Sequence, residues 1–167
     1  IPTSGVRSAR SCRIENQALR SFSDANVFLA PIAGQEYLFC HPFWHHHQEG
    51  ASGNGWVVVS RVTAPTLSIK VEFVAVSGVR TDISPEPSLD PTAESWYAVQ
   101  LGEWLILTNG VDNPQWTNHT LTQMQVLGGW PTEYKAKVIE VYKNFLFAIG
   151  LTKVDGSGAE GRMVKWS

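Results

Sequence analysis

Histidine is the side chain with the widest chemical reach at neutral pH, and this chain concentrates it. His45, His46 and His47 are consecutive, with His41 just upstream. Neutral imidazole binds zinc, copper and nickel, and a histidine loop titrates near its ordinary pKa of roughly 6.5. A tetrahedral centre would need His41, His45 and His47, with Cys40 or Glu49 as a fourth ligand. Consecutive side chains on an extended chain point to alternating sides, and no paired ligand spacing occurs elsewhere. The preferred reading is an exposed polar loop over 41–55. Whether the loop of His41, His45, His46 and His47 binds a metal is left open by the sequence, and no metal is assigned.

Other candidates read as local backbone chemistry. Asp112, in Asn109-Gly110-Val111-Asp112-Asn113-Pro114, is a single carboxylate, whereas calcium loops gather several acidic oxygens. Asn, Gly and Asp in this order are turn-forming residues. Asn118-His119-Thr120 matches the glycosylation sequon, a pattern too short to assign a modification. No Gly-x-Ser-x-Gly elbow, phosphate-binding Gly-Lys loop or His-Glu-x-x-His helix occurs. Asp90, Glu94, Glu103, Asp112, Glu133 and Glu140 are scattered without a feature that pairs an acid with a base. No catalytic, cofactor-binding or metal residue is assigned, no cofactor is expected, and the chain is read as not an enzyme. Tryptophan is abundant, at positions 44, 56, 96, 104, 116, 130 and 166. It could form sugar-binding platforms; the preferred reading is filling between twisted sheets and anchoring of interfaces.

The elements that would carry these residues are strands. Leu67, Ile69, Val71, Phe73 and Ala75 alternate with Ser68, Lys70 and Glu72, which predicts an amphipathic strand with a solvent face. Trp56–Val62 predicts a mostly buried strand, and 26–32 with 37–40 predicts a hairpin closed at Ala33-Gly34-Gln35-Glu36. Further strands are expected near 97–101, 103–108, 123–127, 136–142, 145–151 and 161–167, and a short one near Arg13–Ala18. Pro85, Pro87 and Pro91 make 77–92 an extended, irregular crossing. No segment has capped i, i+3, i+4 apolar spacing, so helix should be scarce.

A similar outline occurs twice near the C-terminal end. Tyr97–Leu101, a Gly102-Glu103 turn and an apolar run from Trp104 lead by a loop to Trp116. Val138–Tyr142, a Lys143-Asn144 turn and an apolar run from Phe145 lead by a loop to Trp166. The two runs start 41 residues apart (145 − 104). Repetition of short strands at about 40–50 residues is a mark of propeller blades. The expectation is an all-β fold of antiparallel sheets with β-propeller-like blades. Its parts are an irregular N-terminal arm (1–26), a β-rich segment with long loops (27–96) and blade-like repeats (97–167). The chain opens at Ile1 without Met and stops at Trp166-Ser167 within an expected strand, so a fragment of a larger protein is expected.

Composition excludes some partners. Of the 167 residues, 43% are hydrophobic and 17% charged, enough apolar content for a core and less charge than the roughly 25% of ordinary domains. The 13 Lys and Arg against 15 Asp and Glu leave a net charge of −2, no footprint of a nucleic-acid clamp. No apolar run approaches the roughly 20 residues that span a bilayer, so stable membrane insertion is not expected. The two cysteines, Cys12 and Cys40, read as thiols rather than a disulfide framework.

Leu107-Thr-Asn-Gly-Val-Asp-Asn-Pro-Gln115, Gly128-Gly-Trp-Pro131, Ala136–Gly150 with its Lys143-Asn-Phe-Leu146, and Arg162-Met-Val-Lys-Trp-Ser167 together resemble bacteriophage tail tubular (nozzle) and head–tail stabilisation proteins. The similarity covers about 97–167 well and 1–96 loosely. It implies a virion structural protein of a phage tail with propeller or sandwich parts. It further implies a homo-oligomeric ring that meets other tail and connector proteins around a channel, with genome DNA passing through and not bound specifically. Asn109, Gly110, Asp112 and Pro114 would then form turns, and the family brings no catalytic residues. This chain is several times shorter than nozzle proteins. The alternatives from other classes are a receptor- or glycan-binding β module on a tail, and a hydrolase of host-surface sugar, which would need two carboxylates about 5–10 Å apart in a cleft.

Overall fold

Every regular element among the described residues is a strand, as the alternating patterns require. In the computed structural model, residues 12–15, 18–21, 27–30, 32–44, 54–118, 120, 122–155, 159–160 and 164–166 are described, and no helix occurs among them. The histidines at 45–47 and Glu49 lie outside the described residues. The chain divides into two units, 1–84 and 85–167. Residues 85–96, read from the sequence as the tail of the 27–96 segment, fall with the second unit.

In the first unit, β1 (Cys12–Glu15), β2 (Ala18–Ser21) and β3 (Val27–Leu29) form a three-stranded antiparallel sheet. β4 (Gln35–Phe43), β5 (Gly55–Val62), β6 (Ser68–Ala75) and β7 (Arg80–Asp82) form a four-stranded antiparallel meander. Three expectations are corrected here. Val27–Leu29 pairs with β2, and β4 pairs with β5, so the hairpin expected between 26–32 and 37–40 does not form. The expected loop over 41–55 begins later, because His41, Pro42 and Phe43 continue β4 opposite Val57, Trp56 and Gly55. Proline ordinarily interrupts a strand, yet Pro42 pairs with Trp56 within β4. β4 is an edge strand, a setting where a proline without an N–H disrupts no ladder. The crossing over 77–92 likewise contains one short strand, β7.

A register shift between Tyr37 and Phe39 leaves Leu38 as an extra residue in β4. Such a bulge turns the strand by one position. Tyr37 and Cys40 therefore share a face with Trp56, Val58 and Val74, and all pack with Leu29 into one apolar cluster. Phe39 and Phe43 are buried too, although they point to the opposite face of the sheet along with Val57, Val59 and Val71.

In the second unit, β8 (Tyr97–Leu101), β9 (Trp104–Thr108), β10 (Gln115–Thr117) and β11 (Gln125–Val126) form one antiparallel meander. β12 (Tyr134–Tyr142) and β13 (Phe145–Lys153) form a long hairpin. β14 (Ala159–Glu160) and β15 (Val164–Trp166) pair with different stretches of β13. The two outlines seen in the sequence hold equivalent places. Leu101↔Trp104 and Tyr142↔Phe145 each close a two-residue turn, and the first turn residue has positive φ in both, Gly102 at 59° and Lys143 at 55°. Trp116 and Trp166 each lie on the strand beside the second hairpin strand, opposite Ile106 and Leu146.

One core joins the two sheets. Val99, Ile106, Leu101 and Trp116 from β8–β10 meet Ala136, Ile139, Val141, Leu146, Ala148 and Leu151 from the hairpin. Burying each large side chain contributes about 1.5–3 kcal/mol. On the hairpin, the buried side changes parity: Ile139↔Ala148 faces the core, and so does Ala136↔Leu151 three residues away. Between them lie Lys137 and Gly150, the latter with φ at 69°. A residue in this left-handed region rotates the strand, and it favours glycine because glycine has no Cβ. A Cβ on Gly150 would also sit 3.1 Å from Lys137 Cβ.

Candidate functional site

The alternation of β6 predicted a solvent face bearing Ser68, Lys70 and Glu72. The structure corrects this: Glu72 is 4% exposed. Cross-strand register explains its surroundings, since Glu72 faces Val58 on β5 and Asp82 on β7, beside the Val74↔Arg80 pair. Arg80 Nη2 donates to Glu72 Oε2, and Lys70 Nζ lies 3.0 Å from Oε1 and 3.7 Å from Asp82 Oδ2. Gln35 Nε2 donates to Glu72 Oε2 at 3.3 Å and also to Ser60 Oγ. Arg80 Nη1 donates to Tyr37 Oη at 3.2 Å, its guanidinium stands 5.8 Å from that ring's centre, and the phenol donates to the Ala30 carbonyl at 2.8 Å.

Burial pushes the Glu72 carboxyl up, but hydrogen bonds and charge from Arg80 and Lys70 outweigh it and hold the group below its ordinary value. Arg80 is held above its ordinary value by Glu72 and Tyr37, against its own desolvation. Asp82 is lowered as well: burial opposes, and bonds from the Ser84 hydroxyl and N–H with the charge of Lys70 prevail. A general acid must stay protonated near the working pH, and neither carboxylate is poised to do so. The network is suited to fixing strand register, because removing one partner strands the buried Glu72 charge; Arg80 Nε is the one buried polar atom of the network without a hydrogen-bond partner among the described residues. The sequence carried no sign of it beyond charges at alternate positions, since burial of Glu72 depends on β5 and β7 folding beside it and on Gln35 and Tyr37 of β4 joining its network.

The loop after β9 is the second polar centre. Asn109, 5% exposed, accepts through Oδ1 from the N–H groups of Val111 (2.9 Å) and Asp112 (2.8 Å). Its Nδ2 donates to Asp112 Oδ2 at 2.7 Å, and that oxygen also accepts from the Asp90 N–H at 2.9 Å. Gly110 lies against Lys137, where a Cβ would approach Lys137 Cγ to 3.2 Å. Turn chemistry is thus what Asn109, Gly110 and Asp112 perform, and Asp112 also ties down the 85–96 segment. Asn118 Oδ1 accepts from the Thr120 N–H and hydroxyl in a similar local turn. A cleft lined by Leu89, Trp96, Leu107, Asp112, Asn113 and Gln115 runs alongside, with no room for a water-sized molecule. The buried Trp96 Nε1 and Gln115 Oε1 that border it have no hydrogen-bond partner among the described residues.

Cys40 is buried in the apolar cluster with Tyr37, Val58 and Val74, and His41 stacks on Phe39 at 6.2 Å. Adjacent strand residues point apart, so Cys40 and His41 do not converge. No group of three or more His, Cys, Asp or Glu that could hold a metal occurs among the described residues.

Aromatic side chains form the remaining surface feature. Trp104 is 46% exposed, and its ring centre lies 4.9 Å from that of half-buried Trp116, tilted by 45°. In the first unit, exposed Trp44 lies 6.4 Å from half-buried Trp56. On the hairpin, exposed Tyr142 packs edge-on to Phe147 at 6.4 Å. No protein-family model matches the chain. No curated protein is significantly similar to it.

Proposed function

We propose that this chain is a structural subunit of a phage tail, one protomer of a ring around the channel through which DNA leaves. The observation that carries the reading is the succession of four-stranded antiparallel sheets, β4–β7, β8–β11 and β12–β15, the last two built on equivalent hairpins. Propeller blades are four-stranded antiparallel sheets, which is what this reading takes these sheets to be, and the resemblance of 97–167 to nozzle proteins supports it. The role is mechanical. Sheet stacking and the Glu72 and Asn109 networks hold the fold, and a net charge of −2 avoids the counterion-release affinity that would trap DNA in a channel. The test is the native mass, with negative-stain imaging. A closed multiple of 18.5 kDa with a central channel is expected, and a monomer at every concentration refutes the ring.

A second reading, a glycan-binding module on the tail, is favoured by one observation: the Trp104–Trp116 pair offers an exposed aromatic surface. It expects a glycan-array signal that Trp104→Ala abolishes, and silence across the array removes it.

A further inference from the structure

Residues 85–96 belong to no strand, yet Leu89, Ala93 and Trp96 are buried. Leu89 and Trp96 line a cleft together with Leu107 of β9, Gln115 of β10 and the 109–113 loop. The walls are built differently. Leu107 and Gln115 face each other in one ladder, and the loop is closed on itself by the bonds that Asn109 accepts from Val111 and Asp112. The 85–96 wall has a turn inside it, the Ala93 N–H donating to the Asp90 carbonyl at 3.2 Å. It is tied across the cleft by the Asp90 N–H on Asp112 Oδ2 at 2.9 Å.

Closure leaves polar atoms of this cleft unmet. Trp96 Nε1, Asn113 Oδ1 and Gln115 Oε1 are buried and have no hydrogen-bond partner among the described residues. The cleft has no room for a water-sized molecule, so water cannot satisfy them there while the segment lies in place. An unmet buried donor or acceptor carries its full desolvation cost. Apolar burial of Leu89, Ala93 and Trp96 holds the segment down, and the three unmet atoms push against it. Lifting the segment gives water access to the cleft and breaks no pairing within β8–β11. We propose that 85–96 is a strap that opens locally, well short of unfolding the second unit, and uncovers the floor formed by Leu107, Asn113 and Gln115. Sub-global openings of this kind arise in segments outside the hydrogen-bonded ladders. The strap gives the second unit an element that moves while its sheets stay paired.

Trp130 supplies an internal reference. It lies in the same unit and is as deeply buried as Trp96, but its Nε1 donates to the Tyr134 carbonyl at 2.6 Å. Hydrogen exchange of both indole N–H groups and of the backbone amides is followed by NMR at several low urea concentrations. Exchange at Trp96 is expected to be about 100-fold faster than at Trp130 and to be shared by the Ala93 amide. It should be nearly independent of urea, because little surface opens, while the amides of β9 and β10 exchange only with global unfolding. A benzothiophene analogue of tryptophan in place of Trp96 keeps the ring shape and removes the N–H. It should slow exchange of the Ala93 amide about tenfold, since the closed form then has one unmet donor fewer. If Trp96 and Ala93 exchange at the Trp130 rate with the same urea dependence, 85–96 moves only with the whole unit and the strap is refuted. An analogue that folds and leaves the Ala93 rate unchanged shows that the unmet N–H does not drive opening, and overturns the argument. Should the analogue not fold, the wild-type comparison decides alone.

Discussion

Replacing Glu72 by Gln tests whether the buried network of the first unit holds β4, β6 and β7 together. The substitution keeps the shape and removes the charge that both Arg80 and Lys70 address. Breaking a buried ion pair from one side costs about 3–5 kcal/mol because the partner charge stays behind. The lower end applies here, since the side chains of Arg80 and Lys70 are 21% and 36% exposed and water screens part of the loss. For a unit the size of residues 1–84, each kcal/mol is about 4–8 °C of Tm, so a fall of roughly 12–24 °C is expected. Urea unfolding followed by circular dichroism, with hydrogen exchange at β6 amides, gives the measurement. The pH profile supplies a second readout. The Glu72 pKa is lower in the folded than in the unfolded chain, so its stabilisation is present above the unfolded value of about 4.3. It is lost as pH falls through the lower folded value. Glu72→Gln should remove this share of the acid loss and leave the shares of Asp82 and Asp90, which are also lowered. Glu72→Met with Arg80→Met should regain most of the stability, because apolar side chains of similar volume replace a buried pair at little cost. A Glu72→Gln variant within about 0.5 kcal/mol of wild type, the scatter of ordinary surface changes, would refute the argument.

Three further outcomes are expected. Asn109→Ala strips the acceptor from two backbone N–H groups and a donor from Asp112; a loss of about 2–3 kcal/mol, read by chemical denaturation, is expected, and an unchanged midpoint would show that the loop is held by other contacts. Gly150→Ala meets both the positive φ and the Lys137 side chain and should destabilise the second unit by about 1–2 kcal/mol, whereas Gly78→Ala, with positive φ and open space around it, should cost less; equal costs would mean that Lys137 yields freely. Trp104→Ala should change stability little, given the exposure of its ring, so lost glycan binding in that variant would report on the surface rather than on folding.

Sequence periodicity by itself determined that the chain is all-β, because alternation and turn residues are local properties. It also located the two equivalent hairpins, since a two-residue turn between apolar runs fixes register within a few residues. The Asn109 loop was legible for the same reason: Asn-Gly-x-Asp makes its bonds within its own neighbourhood. Pairing between distant strands was not legible. Val27–Leu29 could join β2 or β4 with similar local chemistry, and Pro42 reads as a break until β4 is known to be an edge. The burial of Glu72 was the furthest from reach, because its pattern is that of a solvated face. Only the bulge at Leu38, which turns Tyr37 towards it, and β7, which brings Arg80 alongside, convert an exposed carboxylate into the buried centre of an ion network. Those are contacts of tertiary structure, set by which strands lie side by side, and no window of sequence contains them.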